Sequence, residues 1–403
     1  MPPAQPDGDL APEDGLLPDE AWAQFGSKPF GLYVHVPFCS VRCGYCDFNT
    51  YTAAELGAAP GSSQDAYLAA ARAELDLAAR VLPEAPPLYS VFFGGGTPTM
   101  LPAAELAGLL TAVRDRFGLA PDAEITTEAN PESVDRAYLD TLVAAGFTRL
   151  SLGMQSARPG VLAVLDRRHT PGRVPQVVRW AREAGFSSVS LDLIYGSPTE
   201  TLADWEASLD AAIGLEPDHV SAYSLIVEPG TRLAARIGRG ELPGIDDDEQ
   251  ADCYTLAEER LVAAGYSAYE VSNWSRPGHE SRHNLAYWLG QDWWGFGPGA
   301  HSHVNGVRWW NVRHPRTYSA ALLDGSSPAQ AREVLEAYDR RVERVMLELR
   351  LATGLPLDVL TGSERFRVPA LAASGLAIES SERLVLTLRG RLLADAVIRD
   401  LLD

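Results

Sequence analysis

The sequence is short of basic residues and contains no long apolar run. Of its 403 residues, 34 are Lys or Arg and 54 are Asp or Glu, which gives a formal net charge of −20. Such an acidic surface repels phosphate backbones, so no nucleic-acid partner is expected. No stretch approaches the ~18 consecutive apolar residues of a membrane span. The N-terminus also lacks a basic segment followed by an apolar one, which predicts a cytoplasmic location.

Cysteine is scarce as well, and its distribution is uneven. Cys39, Cys43 and Cys46 lie within eight residues of each other, whereas Cys253 stands alone. This pattern excludes a disulfide framework. Clustered thiols in a reducing compartment are typical of metal or redox ligands. Cys253 lies on a segment with helical periodicity and is expected to be a buried small apolar residue.

Short β-rich runs alternate with amphipathic segments between residues 28 and 240. The runs that predict strands cover residues 31–36, 89–93, 124–129, 149–154, 188–195 and 219–226. Helices are predicted at 64–82, 103–117, 137–146 and 174–185. Six strand–helix repeats, with strands that read as apolar on both faces, predict an α/β fold built as a partial (β/α)6 barrel of parallel strands. A doubly wound sheet is the alternative, and in both folds ligands bind at the carboxyl ends of the strands.

Three further regions are predicted outside this barrel. Residues 1–27 are rich in Pro and acidic residues and are expected to be disordered. Residues 241–335 contain a Trp-, His- and Gly-rich stretch that we expect to associate with the barrel. Residues 336–403 show a helix, hairpin and helix pattern, which is typical of a small winged-helix-like module. Given the charge, we expect this module to be a packing unit.

The three clustered cysteines form a CxxxCxxC motif directly after the first predicted strand. Three thiolates on one loop can hold three irons of a [4Fe–4S] cubane and leave the fourth iron open to a small molecule. The alternative is a structural zinc site, for which Cys253 or His35 would be the fourth ligand. Without that role, His35 is expected to be structural or close to the cluster.

This motif resembles the signature of the radical S-adenosylmethionine (SAM) superfamily. The resemblance implies that SAM chelates the open iron and that the cluster donates an electron, which cleaves SAM to a 5′-deoxyadenosyl radical. The run Gly94-Gly95-Gly96-Thr97, after the second predicted strand, resembles the segment that hydrogen-bonds the SAM amino group in that superfamily. Glycines there let the backbone approach a ligand closely.

Polar residues at the ends of successive predicted strands resemble the SAM contacts of the coproporphyrinogen III oxidase-like branch of this superfamily. Carboxylates suit ribose hydroxyls, and a guanidinium suits a carboxylate. The resemblance covers residues 28–402. It implies a SAM site formed by Tyr33, Tyr45, Gly95, Gly96, Thr97, Glu128, Gln155, Arg167 and Asp192.

Within that branch, two features separate the chain from the oxidase. The oxidase carries a fourth cysteine two residues after the third, where this chain has Phe48. Its N-terminal extension helps to close the substrate site, whereas the N-terminus here is acidic and rich in proline. Both features put the oxidative decarboxylation in doubt, although neither prevents cluster binding.

A third feature resembles the haem-chaperone subgroup of the branch. The pattern HNxxYW occurs at His283, Asn284, Tyr287 and Trp288. An imidazole beside large aromatic rings can ligate haem iron and stack on a porphyrin. The resemblance implies that these four residues bind haem, with His283 on the iron. His301 and His303 are alternative ligands.

The resemblance therefore implies a haem chaperone with a [4Fe–4S] cluster, SAM and haem as its cofactors and cargo. The resemblance implies an electron donor and a haem-acceptor protein, with a membrane protein as one kind of acceptor, and it leaves a homodimer open. It also leaves open whether the cluster and SAM serve dimerisation, haem attachment or transfer, so no catalytic residue is assigned. The alternative is an oxygen-independent coproporphyrinogen III oxidase, which converts two propionates to vinyl groups. A zinc-stapled barrel without radical chemistry is the third hypothesis.

Overall fold

The structure is a computed structural model that describes residues 5–57, 61–167, 170 and 172–402. The strands of this part of the chain are β1 (Asp9–Leu10), β2 (Phe30–Val36), β3 (Phe38–Cys39), β4 (Tyr51–Thr52), β5 (Leu88–Gly95), β6 (Leu119–Ala129), β7 (Arg149–Gln155), β8 (Ser188–Tyr195), β9 (His219–Ser224), β10 (Ser267–Ala268), β11 (Asn273–Ser275), β12 (Asp292–Phe296), β13 (His301–Val304), β14 (Val307–Asn311), β15 (Ala329–Val334), β16 (Leu355–Pro356), β17 (Ala377–Glu379) and β18 (Arg383–Leu386).

The α-helices of the described residues are α1 (Ala53–Leu56), α2 (Gln64–Val81), α3 (Ala103–Phe117), α4 (Arg136–Ala145), α5 (Pro159–Val164), α6 (Arg173–Ala184), α7 (Leu202–Ile213), α8 (Arg232–Gly238), α9 (Asp247–Ala263), α10 (Arg282–Trp288), α11 (Pro315–Leu323), α12 (Ala337–Glu348), α13 (Gly362–Ala373), α14 (Leu388–Leu392) and α15 (Ala394–Leu402). Short 3-10 helices cover Asp19–Trp22, Pro98–Met100, Pro131–Ser133 and Leu357–Val359.

A sheet of thirteen strands, counted over the described residues, dominates the fold. Its order is β1-β15-β14-β13-β12-β2-β5-β6-β7-β8-β9-β11-β10. The six predicted strands are β2 and β5 to β9, and they pair in parallel in chain order. The predicted partial barrel is therefore confirmed. The sequence did not reveal a seventh parallel strand, β12, which pairs with the open edge of β2.

The ends of the helices follow from local side-chain chemistry. Ser63 caps α2 by accepting a hydrogen bond from the Ala66 backbone N–H, and Thr201 forms a capping box at the start of α7. Such caps satisfy donors that a helix leaves free. α4 ends at Gly146, whose φ of 108° lies in the left-handed region that favours glycine. These signals fix where α2 and α7 begin and where α4 ends.

The barrel strands are apolar on one face only, which corrects the expectation of two apolar faces. On β8, Val189, Leu191 and Leu193 have no exposed surface and pack beneath the outer helices. The alternate residues Ser190 and Asp192 point into the barrel instead. The inner face of the sheet is thus polar where it surrounds the cavity.

The N-terminal segment is ordered over its described residues, which corrects the prediction of disorder for residues 1–27. β1 pairs antiparallel with β15, with Asp9 opposite Arg332. Ala21 is fully buried, and Trp22 contacts Phe25 edge to face. A free sheet edge satisfies the backbone polar groups of such a segment, so few apolar side chains are needed. Residues 1–4 lie outside the described residues.

The C-terminal residues surround an apolar cluster of their own. Helices α12 to α15 pack on the small sheet β16-β18-β17, with Val345, Leu349 and Leu384 at its centre. The predicted hairpin is formed by β17 and β18. Arg391 joins this module to α9 through an ion pair of 2.6 Å with Glu258. Among the described residues, no helix is both long and apolar enough to cross a bilayer.

Candidate functional site

A cavity of about 560 Å³ opens at the carboxyl ends of the barrel strands. The structure brings together every predicted cluster and SAM residue in its lining. Three of the four predicted haem residues also reach it. The predicted residues in the lining are Tyr33, Cys39, Cys43, Tyr45, Cys46, Gly95, Gly96, Thr97, Glu128, Gln155, Arg167, Asp192, His283, Asn284 and Tyr287.

The loop that carries the three cysteines is fixed by backbone hydrogen bonds to its neighbours. The Gly96 N–H donates to the Val36 carbonyl and the Thr97 N–H donates to the Phe38 carbonyl, both at 2.8 Å. A Cβ on Gly96 would lie 2.6 Å from the Phe38 carbonyl oxygen, so only glycine fits there. The Gly-rich turn after β5 therefore supports the cysteine loop from below.

The three thiols are half-buried and free, and each lies near a polar group. Cys39 Sγ lies 3.9 Å from Thr97 Oγ1, and Arg167 Nη1 donates to Cys43 Sγ at 3.4 Å. Burial raises the pKa of Cys39 to about 11, so metal binding there releases a proton. This loop offers thiolate ligands to an iron–sulfur cluster at the mouth of the cavity.

The contacts disfavour the zinc alternative. Cys253 is buried on α9 and does not line the cavity, and His35 uses both ring nitrogens, on Tyr33 Oη and the Asn49 carbonyl, each at 2.9 Å. Over the described ranges, no three Cys, His, Asp or Glu side chains could hold a single metal ion. A cubane does not need them to converge, because its thiolates bind separate irons.

The predicted SAM residues surround the cavity below the cysteine loop. Glu128 accepts a hydrogen bond from the Gly95 N–H at 3.2 Å, and Ser151 Oγ donates to Asp192 at 2.9 Å. Burial, together with the negative charge of Asp192, raises the pKa of Glu128 to about 8. A positively charged ligand would relieve this repulsion.

Two further groups point to a bound ligand. Within the part of the chain that the structure describes, Arg167 Nε is buried without a hydrogen-bond partner. Gln155 has a φ of 65°, which is strained for a residue other than glycine, and strain of this kind concentrates at binding sites. Buried carboxylates and a guanidinium with free capacity fit a ligand that carries both an ammonium and a carboxylate group. The residues present therefore fit SAM.

His283, the predicted iron ligand, lies at the floor of the cavity, where both of its ring nitrogens lie beside hydroxyl groups. Its Nδ1 lies 2.9 Å from Ser90 Oγ and its Nε2 lies 2.9 Å from Tyr287 Oη. The ring stacks on Phe92 at 5.2 Å and is 2% exposed. Burial lowers its pKa to about 3. Both nitrogens are engaged, so neither can bind iron in this conformation.

The other predicted haem residues are also held by the protein. Asn284 Nδ2 donates to Tyr269 Oη at 3.2 Å, and Trp288 lies outside the cavity lining. His303 is bonded at both nitrogens, to the Gln291 carbonyl and the Gly306 N–H. His301 is exposed and stacks on Trp310, away from the cavity.

A set of inward-facing polar residues was missed in the sequence. His219 bonds Ser190 Oγ at 2.8 Å through Nδ1 and Tyr269 Oη at 3.0 Å through Nε2. The sequence does carry a signal for them, because polar residues occupy alternate positions of β8 (Ser190, Asp192) and β9 (His219, Ser221). Such alternation indicates that one face of the strand is polar. The missed residues that line the cavity include Arg149, Ser151, Ser190, His219, Ser221, Tyr223, Tyr269 and Asn273.

Comparisons with known proteins agree with this geometry. The model of the radical SAM superfamily matches residues 33–212. The haem chaperone HemW of Mycobacterium tuberculosis is 55% identical over 380 residues, which cover 94% of this chain and 96% of that protein. HemW of Escherichia coli is 34% identical over 92% of this chain and 97% of its own length.

Among solved structures, the coproporphyrinogen III oxidase HemN of Escherichia coli matches with a TM-score of 0.82. The match covers 96% of this chain and 94% of that one at 24% identity, so it shows a shared fold. A radical SAM domain implies a [4Fe–4S] cluster and SAM. On identity that extends over nearly its whole length, this chain belongs to the HemW family of the radical SAM superfamily.

Proposed function

We propose that this protein binds haem and transfers it to an acceptor protein, and that it carries a SAM-ligated [4Fe–4S] cluster in its barrel. The observation that supports this most strongly is the 55% identity to a haem chaperone over 94% of the chain. The cavity adds support, because three thiols on one loop face the residues that fit SAM. A cytoplasmic location and an external electron donor belong to the same proposal.

In this proposal, Cys39, Cys43 and Cys46 would hold three irons of the cluster and leave the fourth without a protein ligand. When bound, the cluster and SAM together supply one-electron chemistry. Arg167 fixes Cys43 through its hydrogen bond and has Nε free for a carboxylate. Glu128 lies at the Gly-rich turn, where its carboxylate would accept a hydrogen bond from an ammonium or a ribose hydroxyl of SAM.

Oxygen-independent oxidation of coproporphyrinogen III is the second candidate, and the shared fold with HemN is the observation in its favour. That likeness, at 24% identity, extends to the fold alone. Phe48 occupies the position where we expect the fourth cysteine of the oxidase, and the HemW relatives are closer in sequence. The haem chaperone is therefore the better supported of the two.

One anaerobic experiment separates these functions. The cluster is reconstituted, and the protein is titrated with haem and then mixed with apomyoglobin as a haem acceptor. A parallel sample receives reductant, SAM and coproporphyrinogen III, and its products are analysed by mass spectrometry. We expect stoichiometric haem binding, transfer to the acceptor and no decarboxylated product. Multiple turnovers to the divinyl product would identify an oxidase, and absence of haem binding by cluster-loaded protein would refute the chaperone.

A further inference from the structure

The mouth of the cavity exposes four large apolar side chains. They belong to two loops, the cysteine loop and the segment at the end of β9. Their exposed fractions are 61% for Val41, 60% for Phe48, 45% for Tyr223 and 67% for Ile226. All four line the same cavity. We call these four residues the apolar rim.

The two loops that carry the apolar rim pack on the same small apolar core. This core contains Leu225, which lies between Tyr223 and Ile226, and Tyr45 of the cysteine loop packs against it. Leu233 of α8 belongs to the same core, and its N–H donates to the Gly44 carbonyl of the cysteine loop at 2.8 Å. The exposed side chains are therefore held on a common support beside the cysteine loop. Four large apolar side chains that are exposed around one cavity mark a binding surface, because proteins otherwise keep such groups apart on their surface.

The interior of the cavity does not suit a porphyrin in addition to SAM. Its volume of about 560 Å³ is that of a pocket for one drug-sized ligand, for which ~300–1,000 Å³ is usual. Its deeper lining is polar and contains Arg149, Asp192 and His219. An apolar macrocycle placed there would bury these groups against hydrocarbon, which is unfavourable.

From these observations, and resting on the proposed function, we infer that haem binds across the apolar rim at the mouth of the cavity. One face of the porphyrin covers Val41, Phe48, Tyr223 and Ile226, and His283 remains a structural residue beneath. The other face stays open to solvent. An acceptor can therefore take the haem without the opening of a buried pocket.

The charges near the rim indicate the orientation of the two haem propionates. Asp47 and Glu228 line the mouth and repel carboxylates. Arg232 is exposed and shares a neighbouring groove with Val41. Its present partner is the half-buried carboxylate of Asp166 at 3.0 Å. The propionates therefore point towards Arg232 and away from the two acids.

The test compares two matched pairs of substitutions in the full-length protein. The rim pair is Phe48→Ser with Ile226→Ser, and the control pair is Phe366→Ser with Ile378→Ser on the C-terminal module, where both residues are also exposed. Haem is titrated and followed by its Soret absorbance. Loss of apolar contact is expected to weaken haem binding about tenfold in the rim pair and to leave the control pair unchanged. Ile226→Ser alone, which lies outside the cysteine loop, is expected to show a smaller loss of the same sign.

Further measurements make the result decisive. Iron content, sulfide content and SAM binding are measured in each variant, and Arg232→Gln is expected to weaken haem binding a few-fold.

Equal haem affinity in the rim pair and the wild type would overturn the rim site. An equal loss in the control pair would do the same, since it would indicate non-specific adsorption. A rim pair that changes only the oligomeric state would assign the rim to a protein partner instead. If wild-type protein fails to bind haem stoichiometrically, the proposed function itself fails.

Discussion

The two ends of the cavity differ in how their polar groups are satisfied. At the cysteine loop, Cys39 Sγ lies 3.9 Å from its hydroxyl neighbour and Cys43 Sγ accepts one hydrogen bond of 3.4 Å from Arg167, whose buried Nε has no partner among the described residues. At the floor, His283 and His219 each use both ring nitrogens on neighbouring hydroxyls. The comparison teaches that lining a cavity is not the same as binding its ligand. The upper end of the cavity, at the cysteine loop, has polar atoms that can still bind a ligand. At the lower end, the floor with His283 and His219, both histidines already have hydrogen-bond partners on both ring nitrogens.

The largest effect is expected where the upper end loses a thiol. Cys43→Ala removes one of three cluster ligands and should abolish cluster binding, because two thiolates on the loop cannot hold a cubane. Iron and acid-labile sulfide are measured after anaerobic reconstitution. Cys253→Ala is the matched control, since this buried cysteine lies outside the cavity and should leave both contents unchanged. If Cys43→Ala kept its full content of iron and sulfide, the thiols of the cysteine loop would not be the cluster ligands, and the contrast between the two ends of the cavity would fail.

A loss of stability, and not of ligand binding, is expected at the lower end. His283→Ala leaves the hydroxyls of Ser90 and Tyr287 without their hydrogen-bond partner and creates a cavity beside Phe92. The free energy of unfolding should fall by about 3 kcal/mol. Urea denaturation measures this, and Ser90→Ala should cost about 1 kcal/mol as a graded control. Unchanged stability with lost haem binding would restore His283 as an iron ligand.

A smaller effect is expected from a single carboxylate at the upper end. Glu128→Gln keeps the shape of the side chain but cannot become negatively charged when SAM binds, so SAM binding should weaken about tenfold. Isothermal titration calorimetry on cluster-loaded protein measures the affinity. Glu105→Gln is the control, because that residue faces solvent and pairs with Arg72 on the outer helices. Equal affinities in both variants would exclude Glu128 from the SAM site.

The smallest effect concerns pH. The pKa of Glu128 is raised to about 8, so the free protein holds this carboxyl protonated at neutral pH. Pairing with the positive charge of SAM favours the carboxylate, so SAM binding should release a proton and strengthen as pH rises towards 8. Calorimetry in buffers of different ionisation enthalpy counts the protons. A rise of the same size in Glu128→Gln would assign the titration to another group.

Most of the barrel was predictable because its signals are local. The strand predicted at 188–195 and the helix predicted at 103–117 match β8 and α3 at both ends. β12 was missed because its run, DWWGF, falls outside the strand–helix rhythm and pairs with a strand from the far end of the sequence. The N-terminal order was missed for a related reason, since only the three-dimensional fold supplies the edge of β15.

The candidate site was predictable to the level of residues that share a cavity, but not to the level of their partners. The spacing of the cysteines and the polar residues at the strand ends predicted which residues line the cavity near the cysteine loop. The contacts of His283 were not predictable, because its motif gives no sign of the hydroxyl of Ser90 on β5, 193 residues away, which engages one of its nitrogens. Hydrogen bonds between distant segments of the chain are decided by tertiary packing and leave no local pattern.

The pairing of β12 with β2 determines when the cysteine loop can be completed during synthesis. Lys28 and Gly290, which lie 262 residues apart, are hydrogen-bonded at this edge of the sheet. A contact of such long range closes only after the chain between its partners has been made. While the chain emerges from the ribosome, the strand that leads into the cysteine loop has an open edge until β12 arrives. Iron and sulfide therefore meet a finished scaffold only after more than two thirds of the chain has been translated.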